Sequence, residues 1–229
     1  ISSFEMSDLP LIKRISLTKK PIIISTGMST LKEIEKTYSA ARSYGIKKIS
    51  LLYCVSNYPS KNSDFNLNNI KIMKRKFKCE IGFSDHSNDF RIASAAVEAG
   101  ATIIEKHIRL KSIKSLDYEF SINDKQIYEY KKKLFNSKKI KKDKLFFKTV
   151  LGKKNFFRNK SENHSKIFRR SIFVVKQIKK GETFTKHNIK KIRPGHGLPP
   201  FYYEKILGKK SFLDIKKNEP LKFKMLNKL

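Results

Sequence analysis

Short apolar runs alternate, over the first 136 residues, with longer stretches whose apolar positions recur every three to four residues. That rhythm predicts repeated strand-helix units and a parallel sheet. Strands are expected at residues 1–4, 21–25, 48–54, 81–84 and 101–107, and helices at 29–44, 67–75, 89–99 and 123–135, with a shorter one within 7–16. Ser29 and Asn123 stand where they would cap helices, and Gly45 and Gly100 where they would stop them. Residues 137–165 lose the rhythm, become Lys-rich with scattered Phe, and read as a linker or extension. A second segment, 166–229, has short pieces at 172–176, 188–192, 204–207 and 219–223, separated by Lys180-Gly181 and Pro194-Gly195-His196-Gly197. It predicts a small β-rich module.

Period-two alternation assigns faces at the strand tips. Gly82, Ser84 and His86 share one face, with Ile81 and Phe83 on the other. Ile103, Glu105 and His107 fall together on the next strand, as do Ile23 with Ser25, and Ser50 with Leu52, Cys54 and Ser56. In a (β/α) barrel the site lies at this end, so His86 and His107 would face one mouth. Two imidazoles suit a divalent transition metal with positions left for water or a substrate oxygen; two satisfied histidines near a loop would leave the same spacing. Ser25-Thr26-Gly27 ends a strand with a hydroxyl and backbone amides, which fits either a phosphate or carboxylate site or an ordinary strand-helix turn. Cys54 and Cys79 read as small packing residues.

Composition changes the picture only at its margins. Of 229 residues, 52 are Lys or Arg and 20 Asp or Glu, a net charge of +32, while 39% hydrophobic residues are enough for a packed core in one or two domains. Residues 1–137 hold 24 basic and 14 acidic side chains, and residues 138–229 hold 28 and 6. Such a surplus points first to nucleic acid or an anionic membrane. The charge is diffuse and mostly Lys, without the Arg forks of base recognition or aromatics set in a basic groove, so it reads as compositional bias with no nucleic-acid or membrane partner. Two cysteines make no disulfide framework, and neither a bilayer-length apolar run nor a signal peptide is evident, so a cytoplasmic protein is expected. The opening at Ile1, in a strand-like context, carries the expectation that the natural N-terminus is missing.

Taken in order, Ser2-Ser3-Phe4-Glu5, Pro21-Ile22-Ile23-Ile24-Ser25-Thr26-Gly27-Met28, Cys54-Val55-Ser56-Asn57-Tyr58-Pro59, Gly82-Phe83-Ser84-Asp85-His86 and Glu105-Lys106-His107 resemble the sialic acid (N-acetylneuraminate) synthase family. Arg170-Ser171-Ile172, Lys179-Lys180-Gly181-Glu182 and Arg193-Pro194-Gly195-His196-Gly197 resemble that family's C-terminal antifreeze-like SAF domain. The resemblance implies an α/β fold: the last five strands of a (β/α)8 TIM barrel over residues 1–136, then a linker (137–165) and a small β-rich SAF domain (166–229). It implies condensation of phosphoenolpyruvate with an N-acyl hexosamine, N-acetylmannosamine or a related diacetamido sugar, to give a sialic-acid-like nonulosonic acid and phosphate. His86 and His107 match the metal ligands, for manganese first, with magnesium or cobalt as alternatives. Ser3, Ser25 and Ser84 match hydroxyls that hold phosphoenolpyruvate, Tyr58 and Asp117 match positions on the sugar side, and Glu105 matches a carboxylate that handles protons. Ser56, also a substrate-binding candidate, stands where some members have asparagine. Arg193 matches the arginine brought to the N-acyl sugar across a domain-swapped homodimer.

Family members begin about half a barrel earlier, with a glutamate and two phosphoenolpyruvate-binding lysines, so this chain alone is expected to be inactive and poorly soluble. A leucine precedes Asp117 where glycine-proline is usual, and the sugar is left undecided. The alternative from another class is a non-enzymatic polyanion- or glycan-binding protein on a degenerate barrel scaffold.

Overall fold

Four strands lie side by side in the order β1 (Ile22–Ser25), β2 (Ile49–Cys54), β3 (Glu80–Asp85) and β4 (Ile104–Lys106), each pair parallel. The computed structural model describes residues 1–57, 60–110 and 117–226. It divides into two compact units, one of Ile1, Pro21–Leu31 and Lys48–Asn163, the other of Ser2–Lys20, Lys32–Lys47 and His164–Leu229. Sequential parallel strands joined through helices are the open part of a (β/α) barrel, and the small antiparallel module that follows completes the expected fold class.

The sheet lies in the first unit. Its middle strands are covered on both faces, which is why they read as near-continuous apolar runs: Leu51, Leu52, Tyr53, Ile81 and Phe83 are all buried. The Phe83 ring packs 6.3 Å from Tyr53 and 6.2 Å from Phe65. At Gly82 the sheet leaves no room, because an added Cβ would meet the Ile103 carbonyl oxygen at 2.6 Å and Leu52 Cδ2 at 2.4 Å. Gly82→Ala is therefore expected to cost about 1–3 kcal/mol by overpacking. An unchanged urea midpoint would contradict this.

Helices α3 (Asn68–Lys76), α4 (Phe90–Glu98) and α5 (Asp124–Phe135) follow the amphipathic pattern. Asn123 caps α5 through a reciprocal box with Gln126, as its position predicts, and Asp89 caps α4 by accepting from the Arg91 N–H. Gly45 and Gly100 stop their helices with φ of +84° and +107°. A two-stranded parallel pair, β5 (Ile108–Arg109) and β6 (Ile122–Asn123), extends the chain past β4.

The strand expected at residues 1–4 does not form. Ile1 flanks β1, its carbonyl accepting from Ser25 N–H at 3.0 Å and its ammonium donating to the Ile23 carbonyl at 2.7 Å. From Ser2 the backbone closes into a turn, Glu5 N–H donating to the Ser2 carbonyl at 3.1 Å, so no ladder continues. Where the rhythm is lost, α6 (Lys144–Leu151) nevertheless forms, capped by Asp143 and burying Phe146 and Val150. Asn69 then clamps Phe157 at both backbone groups, at 2.6 and 3.0 Å. These ties hold residues 150–159 against the loop and helix that follow β2.

In the second unit β7 (Ser171–Val174) pairs antiparallel with β8 (Ile189–Ile192) around a core that includes Ile172, Val174, Phe184, Ile189, Leu198 and Leu221. The piece at 204–207 folds as one turn of helix, α7 (Tyr203–Ile206), and Ile206 enters the same core. Helix α1 (Leu9–Ser16) and residues 32–43 of α2 (Leu31–Ser43) belong to this unit as well. Asp8 accepts from Lys191 Nζ at 2.7 Å, and Arg169 donates to Glu33 at 2.8 Å. Among the described residues no helix is long and apolar enough to cross a membrane.

Candidate functional site

The parallel register sets Cys54 beside Ser84 and Ser84 beside Glu105, so the polar tips of β2, β3 and β4 converge. Ser84, itself buried, donates to Glu105 Oε1 at 2.7 Å. His86 follows two residues on, its Nε2 3.5 Å from Ser84 Oγ and its Nδ1 3.3 Å from the Val55 carbonyl. Its ring centroid is 5.3 Å from that of His107, and Phe120 sets an edge against both. His107 Nδ1 faces Asp117 Oδ2 at 3.3 Å.

This pair fits a divalent metal by its donor chemistry. Each Nδ1 faces an oxygen, a carbonyl for His86 and a carboxylate for His107, the kind of outer partner that would leave Nε2 to a metal. Burial pushes the His86 imidazole below its usual range, which favours the neutral form a ligand needs. Among the described residues no group of three or more His, Cys, Asp or Glu could hold an ion.

Behind the histidines lies a buried polar network on the opposite strand parity. Asp85 accepts from Ser87 N–H and Oγ at 2.8 and 2.6 Å and from the Tyr130 hydroxyl at 2.7 Å. Lys106 Nζ stands 3.4 Å from Asp85 and also donates to the Ser87 carbonyl. Burial lowers the Lys106 pKa despite Asp85, and raises that of Tyr130. Opposite charges at matching parity on adjacent strands are visible in the sequence; Tyr130, on a helix face, is not.

The first unit also holds Ser25 and Ser56, both buried. Ser56 N–H donates to Glu162 Oε1 at 2.9 Å. Arg158 reaches the same loops; no periodicity marks it or Glu162, although Glu162 is the sole acid between Lys153 and Arg170. Burial pushes the Cys54 thiol up to about 11, in keeping with packing. Arg109 stacks its guanidinium 3.7 Å over the Tyr118 ring, and its buried Nε and Nη1 have no hydrogen-bond partner among the described residues. Tyr58 lies outside the described residues.

Ser3 and Arg193 belong to the second unit. Ser3 is buried in the turn after Ile1. Arg193, half exposed, donates to Glu5 Oε1 at 2.9 Å and lies 5.4 Å over the Phe4 ring. Although burial acts to raise it, the Glu5 carboxyl is held below its usual range by Ser2 and the Arg193 and Arg170 guanidiniums. Ser171 Oγ donates to the Pro194 carbonyl and accepts from Gly197 N–H, which braces the loop after Arg193.

Polar side chains gathered at the C-terminal ends of an open parallel sheet mark part of a (β/α) barrel, with the candidate site at its strand tips. Residues 1–145 match the NeuB family and residues 169–227 the SAF domain, and the chain belongs to the NeuB family. It is 39% identical over 228 residues to the pseudaminic acid synthase of Helicobacter pylori, covering 96% of this chain and 63% of that protein. It is 37% identical over 223 residues to the pseudaminic acid synthase of Campylobacter jejuni, covering 97% and 62%. The chain thus spans a little under two thirds of either relative. The crystal structure of spore coat polysaccharide biosynthesis protein SpsE from Bacillus subtilis is similar to it with a TM-score of 0.87 at 28% identity, over 100% of this chain and 67% of that one.

Proposed function

We propose that the complete protein condenses phosphoenolpyruvate with an N-acyl hexosamine, releasing phosphate and a nonulosonic acid. The observation that carries this reading is the linked set Ser84, Glu105, His86, His107 and Asp117 at the tips of β3 and β4 in a chain of the NeuB family. In the reaction, C3 of phosphoenolpyruvate bonds to the sugar's aldehyde carbon, whose oxygen takes up a proton. Water adds at C2, and the C2–O bond to phosphate breaks as the keto group forms. Glu105, oriented by Ser84, holds the proton exchanged at the aldehyde oxygen. Ser3, Ser25 and Ser84 bind phosphoenolpyruvate, while Ser56, Tyr58 and Asp117 contact the substrates. A divalent ion held by His86 and His107, manganese first, supplies Lewis-acid polarisation of the aldehyde when bound.

Arg193 serves the N-acyl group, in a domain-swapped homodimer as the family resemblance implies. The names of the two synthase relatives favour a diacetamido sugar, leading to pseudaminic acid, over N-acetylmannosamine.

The complete protein is expected to release phosphate from phosphoenolpyruvate only when both an N-acyl hexosamine and a divalent metal are present, with the diacetamido sugar preferred. A coupled phosphate assay with each component omitted in turn tests this. Sugar-independent release would end the proposal, and equal use of N-acetylmannosamine would remove the diacetamido assignment.

A further inference from the structure

We propose that Arg158 and Glu162 are positioning residues that clamp the loops after β1 and β2, and so set the pose of Ser25 and Ser56 toward phosphoenolpyruvate. This rests on the proposed function. Arg158 donates through Nε to the Ser29 carbonyl at 3.1 Å, through Nη1 to the Cys54 carbonyl at 2.8 Å and through Nη2 to Thr26 Oγ1 at 3.0 Å. Its guanidinium also lies 4.6 Å over the Tyr53 ring. One rigid planar fork therefore ties the residue after Ser25 to the carbonyl two residues before Ser56. Four positions on, Glu162 takes the Ser56 N–H at 2.9 Å and stands 3.9 Å from Arg158 Nη1.

The cost of this arrangement argues for a role beyond packing. The two side chains are 11% and 2% exposed, and burial pushes the Glu162 carboxyl upward against the pull of Arg158. Apolar residues of similar volume would bury there at lower cost. What apolar residues cannot do is hold three acceptors and one N–H on two loops at fixed separation. Those loops carry the hydroxyls assigned to phosphoenolpyruvate and its neighbourhood, where an error near 1 Å costs on the order of 100-fold in rate. A lysine at 158 would offer one point of attachment in place of the fork.

The test compares Arg158→Lys, Glu162→Ala and Glu162→Gln in the complete protein, with KM for each substrate, kcat, and hydrogen exchange over residues 26–29 and 54–57. Arg158→Lys and Glu162→Ala should raise KM for phosphoenolpyruvate about tenfold or more and speed exchange in both loops. Glu162→Gln keeps a carbonyl acceptor for Ser56 N–H and should recover most of the loss. If Arg158→Lys fails to fold, the Ala and Gln pair at 162 carries the comparison. An active wild type whose Glu162→Ala variant keeps its KM for phosphoenolpyruvate, or whose Gln variant is as impaired as Ala, overturns the clamp. A wild type with no synthase activity overturns the proposed function itself, and the clamp with it.

Discussion

His86→Ala in the complete protein should bring phosphate release below detection and weaken manganese binding, while phosphoenolpyruvate still binds. The imidazole is half of the proposed metal-binding pair, with a centroid 5.3 Å from that of His107 and its Nδ1 3.3 Å from the Val55 carbonyl. Losing an outer-shell partner of a metal ligand costs roughly 10–100-fold, so losing a ligand should exceed that range. His107→Ala should behave alike, and Asp117→Asn should fall within it, because Asp117 acts on His107 through Nδ1. Paramagnetic titration with Mn2+ separates metal loss from general damage. A His86→Ala protein that binds manganese normally would sink the metal assignment, whatever its activity.

Asp85→Ala is expected to be the most destabilising change near the site, at about 3–5 kcal/mol, because it strands a charged Lys106 whose side chain is 5% exposed. It also removes the acceptor for Tyr130 and for both donors of Ser87. Against a typical stability of about 5–15 kcal/mol, such a loss takes from about a fifth to all of the margin. Lys106→Met alone should cost less, since Asp85 loses its counter-charge but keeps the donors of Ser87 and Tyr130. The double variant Asp85→Ala with Lys106→Met should be more stable than the sum of the single losses implies. Urea midpoints for the four proteins measure this coupling. Strict additivity would mean that Asp85 and Lys106 do not stabilise one another.

Much of the sheet was legible because a strand buried on both faces must be apolar along its length, and helices between strands must carry a 3.6-residue stripe. The site's front was legible for a related reason. Alternation put Ser84 and Glu105 on one face, and the register then brought them to hydrogen-bond distance. The same parity gathered His86 and His107, whereas it said nothing of Tyr130, whose contact with Asp85 spans 45 positions. Residues 1–4 misled because Ile-Ser-Ser-Phe has strand-like composition, yet only Ile1 finds a neighbour in β1. At 204–207, tertiary context turned an apolar piece into a helical turn that inserts Ile206.

By itself the amino-acid order determined the repeated strand-helix units, the face on which each strand-tip side chain lies, and the ordered motifs that mark the family. Periodicity and local motifs carry all of these, and neither depends on distant partners. Tertiary structure alone decided that a Lys-rich stretch without rhythm would supply Arg158 and Glu162 to the loops after β1 and β2. Hydrogen bonds spanning 104 to 132 positions leave no period in the sequence, because either partner could be satisfied by many others until the chain folds.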